Sequence, residues 1–244
     1  MKLYYFPAST VCRPVLQFCS DENIAYEPVL VDLMQGEHCQ PAFTAINPNQ
    51  QVPVLDDDGW LLSESSAILK YLADKTGSTA YPKDLRERAR VNEMMDWFNT
   101  GFYREIGYHL TYPQLFPHHR REPEDVNKAT VAWGLDHSAA AMRILNDVYL
   151  GKGKPYLCGD TLTIADYFGA AIVTVGEWIG NDLSAWPNVQ RWVNAIKDRP
   201  SWSEVNAAHA GFVDMLKGKP FICLPWACRE GLETMRLELW EQSI

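Results

Sequence analysis

The chain lacks most of the short signatures that announce a chemistry. It has no G-x-x-x-x-G-K loop, no G-x-G-x-x-G, no H-E-x-x-H and no G-x-S-x-G, so those routes to phosphate, dinucleotide, zinc-hydrolase or serine-hydrolase chemistry are set aside. It has no surplus of positive charge. Twenty-two Lys and Arg face 31 Asp and Glu, for a formal net charge of −9, which argues against a nucleic-acid or anionic-membrane surface and leaves any anionic ligand to local groups. No apolar run approaches the roughly 20 residues of a membrane span, and the opening MKLYYFPAST breaks at Pro7 without a signal-peptide core; the reading is a cytoplasmic protein. Six cysteines, Cys12, Cys19, Cys39, Cys158, Cys223 and Cys228, are scattered without a paired framework, as suits reduced thiols in a cytosol. Cys223 and Cys228 lack the spacing of a zinc site, and His118-His119-Arg120-Arg121 reads as a solvated turn, so no metal is expected.

What is present suits two domains: 244 residues, 47% of them hydrophobic, can fill two cores. The stretch Asn47–Ser66 organises the first. Val52–Leu55 and Trp60–Leu62 flank the acidic turn Asp56-Asp57-Asp58-Gly59, the pattern of a hairpin. Ser63 before Glu64-Ser65-Ser66 and an apolar series reads as an N-cap. A helix starting there offers backbone N–H groups and partial positive charge, a ready carboxylate site. Pro53 at the strand entrance suits a cis peptide that presents the backbone of Val52 to an extended partner. Upstream, Lys2–Phe6 reads as a strand, Pro7–Thr10 as a turn into a helix, and Glu27–Val31 as an edge strand because of Pro28. The segment Leu33–Ile46 reads as a loop with a short irregular helix. The order implies a small mixed sheet with a parallel first crossover.

Gly77–Pro82 reads as a linker, and beyond it strand signals nearly vanish. Asp84 is placed to cap a long helix with Leu85, Ala89, Met94, Met95, Trp97, Phe98 and Phe102 at helical spacing. Glu124–Tyr149 repeats the pattern. Thr163 and Asp166 have the spacing of a capping box, and Pro187 opens a further helix. The aromatic stripes read as core.

Ser9-Thr10-Val11-Cys12-Arg13 stands between the first strand and first helix, where a thioredoxin-like fold carries C-x-x-C, with Ser9 in place of the first cysteine. With it in order come VDLMQGEH at Val31–His38, INPNQQVPVL at Ile46–Leu55, ESSAILKYL at Glu64–Leu72 and LTIAD at Leu162–Asp166. Across roughly residues 1–205 the chain resembles the cytosolic glutathione transferases, and among them the serine-dependent theta and delta classes. The resemblance implies an α/β thioredoxin-like N-terminal domain over 1–76, a linker over 77–85 and an all-α domain over 86–210. The extension over 211–244 lies past the clear match: Pro220–Trp226 is too apolar for a free linker, and Leu232, Met235, Leu239 and Trp240 suggest a closing amphipathic helix, so it is expected to pack on the helical domain. The resemblance also implies a homodimer, with helices beginning near Asp84 and Glu124 in the interface and the small residues Ser138–Ala141 permitting close approach.

By the same resemblance, Ser9 would donate its hydroxyl hydrogen to the glutathione sulfur, and Glu64 and Ser65 would hold the γ-glutamyl end. Val52 before cis Pro53 would pair with the cysteinyl unit, and His38 and Gln50 would reach the glycyl carboxylate. The co-substrate would be a small, apolar electrophile, alkyl halides and activated aromatics being the classes implied. Three positions depart from the pattern: Val11 stands for a proline, Gln50 for a histidine and Ser66 for an arginine, which puts the carboxylate grip in question and opens a different use of Arg13. The chemical task is a pKa. A thiol titrating near 8.5 is only a few per cent thiolate at neutral pH, and lowering it about two units takes roughly 2.7 kcal/mol. A serine donor at a helix N-terminus favours the anion without itself becoming charged. Two other readings stand beside this one: a glutathione-dependent thiol-disulfide oxidoreductase using Cys12, and a non-catalytic binding module on the same fold. Retention of Ser9, His38, Glu64 and Ser65 together argues against the latter.

Overall fold

The computed structural model describes residues 1–225 of the chain. Four strands, β1 (Lys2–Tyr5), β2 (Glu27–Leu30), β3 (Val54–Asp57) and β4 (Trp60–Ser63), form one sheet in the order β2-β1-β3-β4. β1 and β2 are parallel across the helix α1 (Arg13–Asp21), and β1–β3 and β3–β4 are antiparallel. β2 is an edge strand, as its proline requires. The hairpin forms two residues later than the sequence pattern suggests: pairing runs from Val54 to Asp57, and the turn contracts to Asp58-Gly59. Both turn residues take positive φ, +54° and +91°, the twist that joins two strands tightly. Asp56 steadies it by accepting the Gly59 N–H at 2.7 Å.

Between β2 and β3 lie a 3₁₀ turn, Glu37–Cys39, and the short α2 (Pro41–Thr44). After β4 comes α3 (Ser65–Thr76). Ser63 is the last residue of β4, not the N-cap; Glu64 holds that position.

Beyond residue 84 the described chain is helical apart from its connecting loops. Asp84 caps α4 (Leu85–Asp96) by accepting from the N–H groups of Arg86 and Glu87. The helix then widens: Trp97–Phe102 and Arg104–Thr111 are π-helical before α5 (Tyr112–Leu115) closes the rod. α6 (Glu124–Ile144) runs back along it. A Cβ on Gly134 would stand 2.6 Å from the backbone of His109, and Ser138 is fully buried. The small residues of α6 therefore admit its own neighbouring helix, and of the Ser138–Ala141 patch only Ala140 is exposed. α7 (Ile164–Val173), α8 (Pro187–Lys197), α9 (Trp202–Val205) and α10 (Ala207–Leu216) complete the bundle. α10 passes through Gly211, so the helical unit does not stop at residue 210.

α7 is buried along its whole length and packs on α1, where Phe18 meets Tyr167 edge-on at 5.6 Å and the Tyr167 hydroxyl donates to Asp21 at 2.8 Å. After α10 the chain lies across the bundle. Gln114 takes both backbone groups of Ile222, at 2.9 Å each, and Asn181 accepts the Leu224 N–H at 2.7 Å. The closing helix suggested by Leu232, Met235, Leu239 and Trp240 lies outside the described residues.

Candidate functional site

The register of the sheet decides what meets. Tyr4 pairs with Val54, and Val54 with Ser63, while β2 leaves parallel to β1, with Val31 N–H donating to Tyr5 O at 2.9 Å. The turn after β1 with Ser9, the entrance to β3 with Val52 and Pro53, the exit of β4 with Glu64 and Ser65, and the loop carrying His38 therefore all leave the sheet at one end. That is the end where α/β folds take ligands.

Ser9 occupies the turn before α1. Its N–H donates to Phe6 O at 3.0 Å, its carbonyl accepts from Cys12 and Arg13 N–H at 3.1 Å each, and its Oγ accepts from Cys12 N–H at 3.4 Å. Cys12 is fully buried. Burial pushes its thiol up to about 12, against smaller opposing effects of the Ser9 hydroxyl and the Phe6 backbone. A thiol so protonated is a poor nucleophile.

Arg13 turns away from this end. Fully buried, its guanidinium donates to Ala171 O at 2.7 Å, Asn206 Oδ1 at 2.8 Å and Thr174 Oγ1 at 3.2 Å. These groups belong to the C-terminal end of α7 and to the start of α10, and a helix C-terminus favours a cation. Burial lowers the guanidinium to about 10, opposed by Glu177, so it stays charged. Arg13 ties the two halves of the chain together and is not available to a carboxylate at the sheet end.

The Val52–Pro53 peptide is cis, and pairing of β3 with β1 stops at Val54, so Val52 and Pro53 extend past the paired ladder. Gln50 is exposed at φ +57°. Its loop is built by Asn47, a residue the sequence reading passed over: Asn47 Nδ2 donates to Gln51 O at 2.7 Å and its Oδ1 accepts Asn49 N–H at 3.1 Å. Its signal in the sequence was the Asn-Pro-Asn run, a turn former. His38 sits half-buried in the 3₁₀ turn with a buried Nδ1 that has no partner among the described residues. Glu64 is exposed and held at φ +67°, ψ +110°, and no side chain caps α3 among the described residues. Its first turn, Ser65-Ser66-Ala67, carries no acid, and Ser65 is buried; the first N–H groups of a helix have no intrahelical partner and suit an anionic acceptor.

The helical half adds residues that a 3.6-residue period did not select. Tyr103, Tyr108 and Tyr112 are spaced five and four apart, and i→i+5 bonding of the π segment brings them onto one face. Their rings pack edge-on at 5.2, 5.3 and 6.1 Å. Tyr112 Oη lies 3.0 Å from Thr10 Oγ1 and 2.6 Å from Tyr103 Oη. Burial raises the Tyr108 phenol, against a smaller lowering by the Tyr103 hydroxyl. His119, expected in a solvated turn, is half-buried with its ring 5.2 Å from that of Tyr112, and burial lowers its pKa. No group of His, Cys, Asp and Glu among the described residues could hold a metal. No helix among them is long and apolar enough to cross a membrane.

Residues 3–80 match the family model of the glutathione S-transferase N-terminal domain and residues 117–200 that of the C-terminal domain. A delta-class glutathione transferase from Nilaparvata lugens is 32% identical, with TM-score 0.72 over 88% of this chain and 98% of its own. An epsilon-class enzyme from the housefly Musca domestica is 29% identical at TM-score 0.76, covering 90% of this chain and 98% of its own. Human glutathione-S-transferase T1-1 is 26% identical at TM-score 0.75, covering 99% and 98%. The chain belongs to the cytosolic glutathione transferase family, alongside its delta, epsilon and theta members, and is a glutathione transferase with glutathione as its co-substrate.

Proposed function

We propose that Ser9 is the catalytic donor: its hydroxyl hydrogen stabilises the glutathione thiolate, which then attacks an electrophilic carbon of a small, apolar substrate and displaces its leaving group. The observation that carries this is the contrast within one turn. The Ser9 hydroxyl, its oxygen already accepting from Cys12 N–H, can offer a hydrogen at the strand ends, while Cys12 is sealed in the core with its thiol pushed up to about 12. That contrast disfavours the oxidoreductase reading, which needs Cys12 as an accessible thiolate. Glu64 and Ser65 at the open start of α3 take the γ-glutamyl end, the backbone of Val52 before cis Pro53 pairs with the cysteinyl unit, and His38 and Gln50 serve the glycyl carboxylate.

The test is the ultraviolet titration of bound glutathione together with conjugation rates for Ser9→Ala and Cys12→Ser. Ser9→Ala should still bind glutathione, raise the apparent pKa of its thiol and slow conjugation about 10- to 1000-fold, the range for loss of one preorganised donor. Cys12→Ser should titrate as wild type. A normal titration in Ser9→Ala, with activity lost only in Cys12→Ser, would overturn the assignment.

We further propose a cytoplasmic homodimer. Supporting it are the exposed Leu85 on α4 and Val126 and Trp133 on α6, apolar groups on the two helices expected to meet a partner. Sedimentation of a stable monomer at micromolar concentration would refute the dimer.

A further inference from the structure

We infer that Thr10 is a positioning residue for Ser9, anchored in the helical domain by a buried chain of hydroxyls that runs through Tyr112 to Tyr103. The inference rests on the reading of Ser9 as the thiolate donor and adds a residue to it.

Within its own segment the turn that carries Ser9 is secured by the Ser9 N–H on Phe6 O and by the Ser9 carbonyl and Oγ, which accept the first amides of α1. The next residue supplies a second attachment. Thr10 is 2% exposed, a buried hydroxyl that needs a partner, and it finds Tyr112 Oη at 3.0 Å, 102 residues along the chain. Tyr112 Oη in turn lies 2.6 Å from Tyr103 Oη. Both phenols are buried, Tyr112 pushed up to about 12 and Tyr103 well above the ordinary phenol value, in each case first by burial. The chain therefore stays uncharged through the neutral range and acts as a tether rather than a charge.

The tether has a rigid far end. Tyr103 lies between the two π-helical stretches and Tyr112 opens α5; α6 packs closely against this rod at Gly134, and the Gln114–Ile222 pair ties α5 to the chain after α10. It reaches the peptide adjoining the donor, so loosening it moves Ser9 relative to the sulfur. Hydroxyl donors lose much of their effect with displacements well under the length of a hydrogen bond.

The experiment uses the full-length protein and the variants Thr10→Val, Thr10→Ser and Tyr112→Phe, with Ser9→Ala as reference. It reads the thiolate titration of bound glutathione, kcat and KM with an activated aryl chloride, and the melting temperature. Thr10→Val removes the hydroxyl at nearly constant volume. It should raise the thiol pKa and lower kcat about 10-fold while KM for glutathione changes by less than about twofold, the signature of lost positioning rather than lost binding. Tyr112→Phe should do the same, the double variant should be no worse than either single, and Thr10→Ser should restore wild-type behaviour. A Thr10→Val protein with wild-type titration and kcat, whatever its melting temperature, overturns the inference and leaves the bond a structural one. Should Thr10→Val not fold, Tyr112→Phe is judged by the same criterion. If Ser9→Ala itself titrates normally, the reading of Ser9 fails; if Ser9→Ala shifts and the tether variants do not, only the present inference fails.

Discussion

Helices α3 and α7 begin in opposite ways. α7 starts at the Thr163–Asp166 capping box, where one fully buried carboxylate accepts from Leu157 N–H, Thr163 N–H, Thr163 Oγ1 and Trp192 Nε1, each at 2.8 or 2.9 Å. Burial raises the Asp166 pKa, and these four donors oppose it. α3 starts at an exposed glutamate in a left-handed conformation, with no side chain bonded to its first turn among the described residues. A non-glycine residue so placed typically costs about 1–3 kcal/mol. The first helix start is closed by the chain itself and serves folding. The second has no side-chain cap among the described residues and lies at the end of the sheet where the Ser9 turn also leaves; in the function proposed above, a ligand carboxylate completes it.

That contrast breaks if the two starts respond alike to mutation. The largest effect belongs to Asp166→Ala, which strands four donors in the core and should lower stability by about 3 kcal/mol or more. Urea unfolding measures it, and conjugation per folded molecule should be unchanged. A loss below about 1 kcal/mol would mean the closed start is not the structural element described.

The other end of α7 gives the next largest effect. His209, buried beside Arg13, donates from Nε2 toward Glu177 at 3.1 Å while its Nδ1 has no partner among the described residues. Burial first, then the charge of Arg13, lowers it to about 4, outweighing the attraction of Glu177. Below its ordinary pKa near 6.5 the unfolded chain takes up a proton that the folded one refuses. This stabilisation is thus complete above about pH 6.5 and is lost as pH falls toward 4, at most about 3 kcal/mol for the one site. Glu177 is pushed up by burial but pulled down further by His209 and Lys197, so its own contribution is lost below the ordinary carboxylate range. Chemical denaturation from pH 4 to 7 should show a steeper slope for wild type than for His209→Gln; equal slopes would reject the assignment.

The smallest pair sharpens the comparison by sign. Thr163→Ala should cost about 1 kcal/mol with kinetics intact. Glu64→Gly, which relieves the left-handed backbone, should leave stability unchanged or raise it by up to about 1 kcal/mol while raising KM for glutathione. Melting curves beside glutathione titrations test both; a Glu64→Gly variant that loses stability and keeps its KM would erase the distinction.

Much of this was legible in the sequence because it is local. The edge strand at Pro28, the hairpin at Asp58-Gly59, the cis peptide at Pro53, the Asp84 cap and the Thr163–Asp166 box follow from residue types within a few positions of one another. Boundaries shifted by one or two residues where pairing across the sheet, not turn composition, decided them, as at Ser63 and Val54. The π segment escaped because a five-residue spacing of tyrosines looks aperiodic against 3.6. Arg13 escaped because its partners lie 158 to 193 residues away.

The sequence by itself determined the family pattern, the order of elements and the identity of the residues that close or open each turn, since short-range sterics and hydrogen bonding act between neighbours. Only the tertiary structure decided that four separate segments leave one end of the sheet, that Cys12 and Arg13 are buried away from it, and that Thr10 meets Tyr112. Those outcomes depend on strand register and on the docking of α1 against α7, which sum many weak contacts between residues far apart in the chain, and no single stretch of sequence contains them.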